Sequence, residues 1–90
     1  MRRPAYSGQF KKDVKLARKR GKNMEKLMEA MQRLIDGLPI GREYLDHLLK
    51  GDWKGCRDLH IEPDWLLIYV IDGDMVRFER TGRHSDLFDE

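Results

Sequence analysis

The sequence predicts an α+β fold in which two N-terminal antiparallel helices pack on a small antiparallel β-sheet. In the first part of the chain, apolar residues recur at helical spacing up to Leu38. From residue 54 onward, short apolar runs are separated by residues that favour tight turns, which is typical of a strand meander. With 90 residues we expect one domain over 1–90, because a second core could not bury enough apolar surface to offset its ordering entropy.

The first helix is predicted to run from Ser7, a residue type favoured at N-caps, to about Arg20. Phe10, Val14 and Ala17 lie at positions i, i+4 and i+7, which places them on one side of a helix. We therefore expect this apolar stripe to face the core.

The second helix is predicted to begin after Asn23, which can cap it, because Gly21 ends the first helix. Gly37 and Pro39 end the second helix. The link between the two helices is so short that they are expected to be antiparallel neighbours. No element is predicted over residues 39–52.

Three antiparallel strands are predicted in the second half, over residues 54–61, 65–71 and 75–81. Pro63 lies in the tight turn between the first two strands, and Asp72-Gly73 is a two-residue hairpin sequence between the last two. A further strand over residues 3–6 can extend an edge of the sheet.

Composition excludes several classes of protein. The chain is 40% hydrophobic and 38% charged, which favours a folded domain with a highly charged surface. The single cysteine, Cys56, cannot form an internal disulfide, which fits a reducing compartment. No apolar run approaches the roughly 18 residues that a membrane span needs. We expect a cytoplasmic protein without a membrane partner, and no motif in the sequence predicts a cofactor.

The charge is distributed unevenly along the chain. Residues 1–22 hold nine lysines and arginines against one aspartate, a net charge of +8, whereas the remainder carries −6. Lys11, Lys15 and Arg18 share one flank of the first helix. Such a surface can bind a phosphate backbone or an acidic protein, and the alternative is a solvated helix face.

The predicted hairpins bring polar residues to one end of the sheet. If the first hairpin closes around Pro63, Leu59 faces Leu67. If the second hairpin closes at Asp72-Gly73, Trp65 faces Arg80 across the strand pair. His60, Asp64 and Arg80 then fall within about 10 Å of one another, given a strand spacing of roughly 4.8 Å. His84 follows the strand that carries Arg80 and can fold back toward the same place.

Two histidines and an arginine can supply the acid, the base and the phosphate contact that metal-independent RNA cleavage needs. Because an unperturbed histidine titrates near a pH of about 6.5, one imidazole can hold a proton while another lacks it. An arginine stays charged and offers a planar fork to phosphate oxygens. A base can then deprotonate a ribose 2′-OH while an acid protonates the leaving 5′-oxygen.

Other interpretations of the same residues remain open. A single histidine on a strand is often structural, and Arg80 can simply pair with Asp58 or Asp64. The side chains of His47, His60, His84 and Asp64 are all capable of binding a metal ion. None of them shows a tight ligand spacing such as H-x₃-H, so we predict no metal site.

Two long strings are more specific than any of these patterns. Residues 53–65, WKGCRDLHIEPDW, followed by Leu67, Ile68 and Tyr69, and residues 77–88, RFERTGRHSDLF, resemble corresponding segments of the YafQ branch of the RelE toxin superfamily. Residues 6–15 and the segment around His47 match in order and spacing too. The resemblance covers nearly the whole chain and implies a RelE-like fold.

The resemblance also implies an activity and partners. Members of this branch are mRNA interferases that cut messenger RNA in the ribosomal A site. A cognate antitoxin of the DinJ type neutralises such a toxin and joins it in repressing their operon, so operator DNA is contacted only through the antitoxin complex. The basic first helix can bind ribosomal RNA or acidic antitoxin segments.

Residue roles are carried over by position. The resemblance places the catalytic set at His47, His60, Asp64 and His84, puts Arg80 on the scissile phosphate, and assigns Trp65 and Phe88 to shaping the site or holding the nucleotide. His84 is expected to be the leading general acid or base, with His60 as its complement or a transition-state stabiliser. Asp64 is expected to orient a histidine, and His47 can take either proton role.

Two other functions are compatible with parts of the sequence. The same superfamily includes ParE-like toxins that inhibit gyrase without catalysis, and a basic helix alone can serve a simple nucleic-acid-binding module. The cluster of histidine, aspartate and arginine favours the nuclease over both.

Overall fold

The computed structural model describes residues 1–49, 51–53 and 55–88. Its helices and strands are, in chain order, β1 (Arg3–Tyr6), α1 (Gly8–Lys19), α2 (Met24–Asp36), β2 (His47–Leu48), β3 (Arg57–Glu62), β4 (Trp65–Asp72), β5 (Met75–Gly82) and α3 (His84–Phe88). Short 3₁₀ turns lie at Arg42–Tyr44 and Gly51–Trp53. The α+β prediction is confirmed.

The two long helices begin and end where the capping residues predict. The Ser7 hydroxyl accepts a hydrogen bond from the Phe10 amide at 2.9 Å, and the Asn23 side chain accepts one from the Glu25 amide at 3.1 Å. Gly37 ends α2 with a φ of 71°, a backbone conformation that glycine adopts without steric cost. These capping interactions join residues that are close in sequence, so the bounds of both helices follow from the sequence alone.

The sheet has the strand order β1-β5-β4-β3-β2. The three predicted meander strands, β3 to β5, pair antiparallel as expected, and β2 joins β3 antiparallel as well. The strand expected over residues 3–6 does extend an edge of the sheet, and it runs parallel to β5. Hairpin turns set the direction of β4 and β5, but both helices and three strands separate β1 from its partner, so no turn constrains β1.

The second hairpin differs from its prediction by one residue. Asp72 pairs with Met75, so the chain turns at residues 73–74 rather than at Asp72-Gly73. An irregularity of register beside Ile68 then adds a further shift. Arg80 consequently lies opposite Ile68 instead of opposite the first residue of β4, and the predicted pairing is wrong.

The sheet buries a different set of side chains on each face. One face packs against α1 and α2 through a core of buried residues: Phe10, Ala17, Leu27, Ala30, Leu34, Leu59, Trp65, Leu67, Tyr69, Val76 and Phe78. The other face carries a smaller cluster of Leu66, Ile68 and Leu87, against which Leu49, Trp53, Cys56 and Phe88 pack. We call these the helix face and the groove face.

Some elements were not predicted from the sequence. These are α3, the two-residue strand β2 and the two 3₁₀ turns. Lys54, where the first predicted strand of the meander begins, and the acidic residues Asp89 and Glu90 lie outside the described residues. Within the described part of the chain, no helix has the length and apolar character needed to cross a membrane.

Candidate active site

An open groove crosses the face of the sheet that the helices leave uncovered. Its volume is about 430 Å³. Three histidines, one carboxylate and three apolar side chains line it: His47, His60, His84, Asp58, Leu49, Trp53 and Phe88. Three of the four residues that were predicted to be catalytic from the resemblance therefore meet in one place.

The alternation of β3 explains why two polar side chains point into this groove. Successive side chains of a strand lie on opposite faces, and Leu59 packs in the core of the helix face. Asp58 and His60 therefore lie on the groove face. His47 joins them because β2 pairs His47 directly with Asp58.

His84 is oriented by Asp64. One oxygen of that carboxylate accepts hydrogen bonds from the His84 backbone amide at 3.0 Å and from its Nδ1 at 2.7 Å. These two bonds, the backbone one first, lower the pKa of Asp64 below its usual value. Since Nδ1 must carry a proton to donate to the carboxylate, Nε2 of His84 is the nitrogen available to a substrate.

His47 is held in a similar way at the other end of the groove. Its Nδ1 lies 2.9 Å from the backbone carbonyl oxygen of Leu45 and 3.0 Å from Oδ1 of Asp58. Leu45 has a φ of 50°, in the left-handed region that non-glycine residues rarely adopt. This backbone conformation turns its carbonyl group toward the histidine. Because Nδ1 is hydrogen-bonded to the Leu45 carbonyl, Nε2 is again the free nitrogen.

His60 lies between the other two histidines. Its ring centroid is 6.2 Å from that of His47 and 5.6 Å from that of His84. Among the residues that the structure describes, its buried Nδ1 has no hydrogen-bond partner. The three imidazoles form a row short enough for one phosphodiester linkage to contact two of them at once.

Aromatic side chains close one end of the groove. The Phe88 ring packs edge-on against Trp53 at 6.3 Å between centroids and lies 6.3 Å from the His84 ring. Phe88 is half-buried, so part of its ring remains available to a ligand. A base that stacks on this ring would lie next to His84.

Asp58 was not predicted as a member of the site. It is only 3% exposed, and burial raises its pKa, although the positive charges that His47, His60 and His84 can carry act in the opposite direction. Its position two residues before His60 on an alternating strand was the observation that could have indicated it. The sequence interpretation considered Asp58 only as a structural partner of Arg80.

Arg80 does not line the histidine groove. Its Nε and Nη2 donate to the two oxygens of Asp13 on α1 at 2.7 and 3.2 Å. The same carboxylate also accepts from the Thr81 amide. The expected convergence of Arg80 with His60 and Asp64 followed from the incorrect hairpin register, and the structure places this arginine beside α1 instead.

Trp65 is a core residue. It is 1% exposed, its Nε1 donates to the Thr81 hydroxyl at 3.0 Å, and the Lys22 ammonium group lies 5.8 Å from its ring centroid. Of the two roles expected for Trp65, shaping the site is compatible with this burial. Direct stacking on a nucleotide is not, because the ring has almost no accessible surface.

The basic side chains of α1 lie away from the histidines. Lys11, Lys15 and Arg18 are exposed and border a mainly apolar groove between α1 and α2. That groove belongs to the helix side of the sheet, whereas the histidines occupy the opposite face. Any contact that these cations make is therefore separate from the chemistry of the histidine groove.

Comparison with known proteins identifies the family. Residues 2–89 match the family described as the bacterial toxin of type II toxin-antitoxin systems, YafQ. The chain belongs to the YafQ family. It is 57% identical to the mRNA interferase toxin YafQ of Escherichia coli K12 over 84 residues, which cover 92% of this chain and 91% of the relative. A putative YafQ toxin of Haemophilus influenzae is 41% identical, with 90% and 86% of the two chains covered.

Solved structures of the family agree with this fold. YafQ from E. coli BL21(DE3) superposes with a TM-score of 0.93 at 54% identity, covering 98% of this chain and 99% of that one. YafQ within the E. coli DinJ-YafQ complex superposes with a TM-score of 0.91 at 55% identity and the same coverage. The fold and family that the resemblance implied are confirmed.

Proposed function

We propose that this chain is an endoribonuclease, the toxin of a type II toxin-antitoxin system, and that it cleaves messenger RNA by metal-independent acid–base catalysis. The observation that carries the proposal is the pair of histidines, His47 and His84, whose Nδ1 atoms are both engaged by oxygen acceptors. This arrangement leaves two Nε2 atoms at opposite ends of one groove, with His60 between them.

The reaction needs one group to accept a proton and one to supply it. In the proposed step, His47 or His60 takes the proton of a ribose 2′-OH, and the oxygen attacks the adjacent phosphorus. The bond from phosphorus to O5′ breaks as the new bond to O2′ forms, and protonated His84 gives its proton to the leaving O5′. Each acid or base contributes roughly 10²- to 10⁴-fold to the rate.

Asp64 has a supporting role in this proposal. Its carboxylate fixes the proton of His84 on Nδ1 and stabilises the positive charge of the imidazolium. A neutral amide at the same position would keep the contact but lose the charge. Asp64 is thus the group that prepares His84 to act as an acid.

Arg80 remains proposed as the contact to the scissile phosphate. For this role its guanidinium must exchange the Asp13 carboxylate for phosphate oxygens, which present a similar bidentate geometry. Phe88 is proposed to hold a base of the RNA. Trp65 is proposed to shape the end of the groove through its hydrogen bond to Thr81.

The substrate and partners follow from the family membership. We propose that the RNA is cut in the ribosomal A site, that the protein acts in the cytoplasm, and that a DinJ-type antitoxin neutralises it. Operator DNA would be bound only through the antitoxin complex. Lys11, Lys15 and Arg18 are proposed to contact either ribosomal RNA or acidic segments of the antitoxin, since both are anionic.

His84→Ala tests the proposal, with Ser85→Ala as a matched control on the same short helix. Each protein is incubated with ribosomes that hold a defined mRNA, and the cleavage rate is measured with and without EDTA. Magnesium is kept in excess of EDTA, which preserves the ribosome while EDTA still binds zinc. We expect a loss of about 10²- to 10⁴-fold for His84→Ala, little change for Ser85→Ala, and full wild-type activity in EDTA.

Three results would contradict the proposal. Equal cleavage by His84→Ala and wild type would remove the catalytic role of His84. Loss of cleavage in EDTA that zinc restores would indicate a metalloenzyme, although no group of three or more suitable ligands is arranged for a metal ion within the described residues. Inhibition of DNA supercoiling with intact mRNA would indicate a gyrase inhibitor instead. A parallel reaction on free RNA tests the requirement for the ribosome.

A further inference from the structure

Asp58 is a buried carboxylate whose surroundings do not fully satisfy its hydrogen-bonding capacity. It lies on β3 between His47 of β2 and Ile68 of β4, and it is 3% exposed. Among the described residues, its Oδ1 accepts no hydrogen bond of regular geometry. Burying a carboxylate without a full set of donors costs free energy, so a purely structural position would favour an apolar or amide side chain.

The charged and titratable groups around Asp58 are mostly histidines. His47 faces it from β2, His60 from the same strand and His84 from α3, and the Asp46 carboxylate contributes a negative charge. The closest of these contacts joins Asp58 Oδ1 to His47 Nδ1 at 3.0 Å. The carboxylate is therefore surrounded by the three imidazoles that the proposed reaction uses, and it touches one of them.

We propose that Asp58 is a positioning residue that acts through His47: the Leu45 carbonyl holds the proton of His47 on Nδ1, and the Asp58 carboxylate beside it orients the ring and stabilises the imidazolium formed when Nε2 accepts the 2′-OH proton. This inference rests on the proposed function, and it selects His47 as the base. Asp58 remains ionised throughout, because the proton taken from the ribose stays on Nε2.

The two acceptors of His47 make different contributions. The Leu45 carbonyl is neutral and fixes the tautomer and the ring orientation. Asp58 adds a negative charge 3.0 Å from Nδ1, and because this carboxylate is buried, water screens its charge less than it would at the surface. Asp64 makes the corresponding contact to His84, but it is an exposed carboxylate.

Asp58→Asn removes the negative charge of the side chain but keeps its shape. Asp46→Asn makes the same change at a neighbouring carboxylate and is the matched control. Asp46 accepts hydrogen bonds from Tyr69 at 2.6 Å and from Arg57, and it does not line the groove. We expect Asp58→Asn to lower the single-turnover cleavage rate at saturating enzyme by at least about tenfold, with little change in the affinity for the ribosomal substrate. Asp46→Asn should stay within about twofold of wild type at a temperature where it is folded.

A double-mutant cycle tests whether Asp58 acts through His47. In a His47→Gln background, Asp58→Asn should cause no further loss, because the group that it positions is already absent. In a His84→Ala background it should still lower the remaining rate. If the double mutant's loss in cleavage rate equals the product of the two single-mutant losses, the two residues act independently, and the inference is overturned.

Stability and tautomer measurements do not depend on activity. Thermal unfolding at pH 7 should show Asp58→Asn to be as stable as wild type or more stable, whereas a structural carboxylate would lose stability on this change. Nitrogen-15 NMR of the wild-type histidine rings should show neutral His47 with its proton on Nδ1. A proton on Nε2 in the wild type would overturn the inference even if Asp58→Asn did not fold.

The measurements distinguish a failure of the Asp58 inference from a failure of the proposed nuclease function. If the wild type cleaves mRNA and Asp58→Asn cleaves equally well, the inference about Asp58 fails while the proposed function stands. If the wild type does not cleave RNA under any condition, the proposed function fails. The proposed positioning role of Asp58 fails with it.

Discussion

The two faces of the sheet are built on different principles. The helix face buries eleven apolar or aromatic side chains in one cluster, and the buried polar residues on this side, Asp13 and Thr81, are hydrogen-bonded. The groove face buries three apolar side chains and places Asp58 and His60 beside them with polar atoms that lack partners among the described residues. The first face stabilises the fold, whereas the second buries polar groups at a cost in stability, which is typical of functional sites.

The clearest way to test this contrast is to truncate one leucine on each face. Leu67→Ala on the helix face should lower the free energy of unfolding by about 2–5 kcal/mol, because the side chain is completely buried and tightly surrounded. Leu87→Ala on the groove face should cost less, since its cluster is small and lies at the edge of an open groove. Chemical denaturation of both variants measures the difference. Equal losses would show that both faces contribute alike to stability.

Arg80→Lys tests whether the arginine beside α1 takes part in the chemistry. A lysine keeps the charge but loses the planar fork, so a role in binding phosphate predicts a loss of about tenfold or more in cleavage rate. The change also weakens the two hydrogen bonds to Asp13, so some stability is lost in either case. A cleavage rate equal to that of the wild type, measured below the melting temperature, would assign Arg80 to the fold alone.

Trp65→Phe asks how far the helix face influences the groove. The change removes the Nε1–H that donates to Thr81, while the Thr81 hydroxyl keeps its bond to the Leu66 carbonyl. We expect a loss of about 1 kcal/mol in unfolding free energy and a small effect on cleavage. A large loss of cleavage with unchanged stability would contradict the assignment of Trp65 to shaping and support contact with RNA.

The smallest expected effect is a dependence on pH that belongs to Asp58. Burial raises the pKa of Asp58 above the value of an exposed aspartate, so the folded state holds its proton more tightly than the unfolded state. This carboxyl therefore reduces stability as the pH rises from about 4 through its folded-state pKa. The advantage of Asp58→Asn over wild type in thermal unfolding should grow between pH 4 and pH 7.

The pKa of Asp64 is shifted in the opposite direction and provides an internal comparison. Because the His84 hydrogen bonds lower its pKa, Asp64 contributes stability above the pKa of an unfolded aspartate and loses that contribution as the pH falls through the folded value. Asp64→Asn should consequently be less stable than wild type near neutral pH, and this difference in stability should disappear at low pH. A constant difference between either asparagine variant and wild type at every pH would contradict the linkage.

Predictions from the sequence succeeded where local interactions decide. Ser7, Asn23 and Gly37 act within a few residues of their own positions, so the two long helices were placed almost to their ends. The pairing of Leu59 with Leu67 was also correct, because the tight turn at Pro63 fixes the first hairpin over most of its length. A bulge between His60 and Glu62 changes the pairing only beside the turn.

The predicted register of the second hairpin was wrong, because an irregularity at one position shifts the pairing of every residue beyond it. The second hairpin turns one residue later than its sequence suggested, and a second irregularity beside Ile68 moves Arg80 away from the histidines. The bulge leaves Arg80 on the side of α1, where it pairs with Asp13 instead of the groove residues. Bulges of this kind depend on packing against neighbouring elements, and no local pattern indicates them.

The sequence by itself determined the family, the two helices, the order of the meander strands and the histidines of the groove. The tertiary structure alone decided that β1 runs parallel to β5, that Arg80 faces Asp13, and that Asp58 is buried beside His47. The physical reason is the separation along the chain over which each interaction acts. Capping and turn interactions act between near neighbours in the chain, whereas the burial of a carboxylate and the choice of its partner depend on which distant segments the folded sheet brings together.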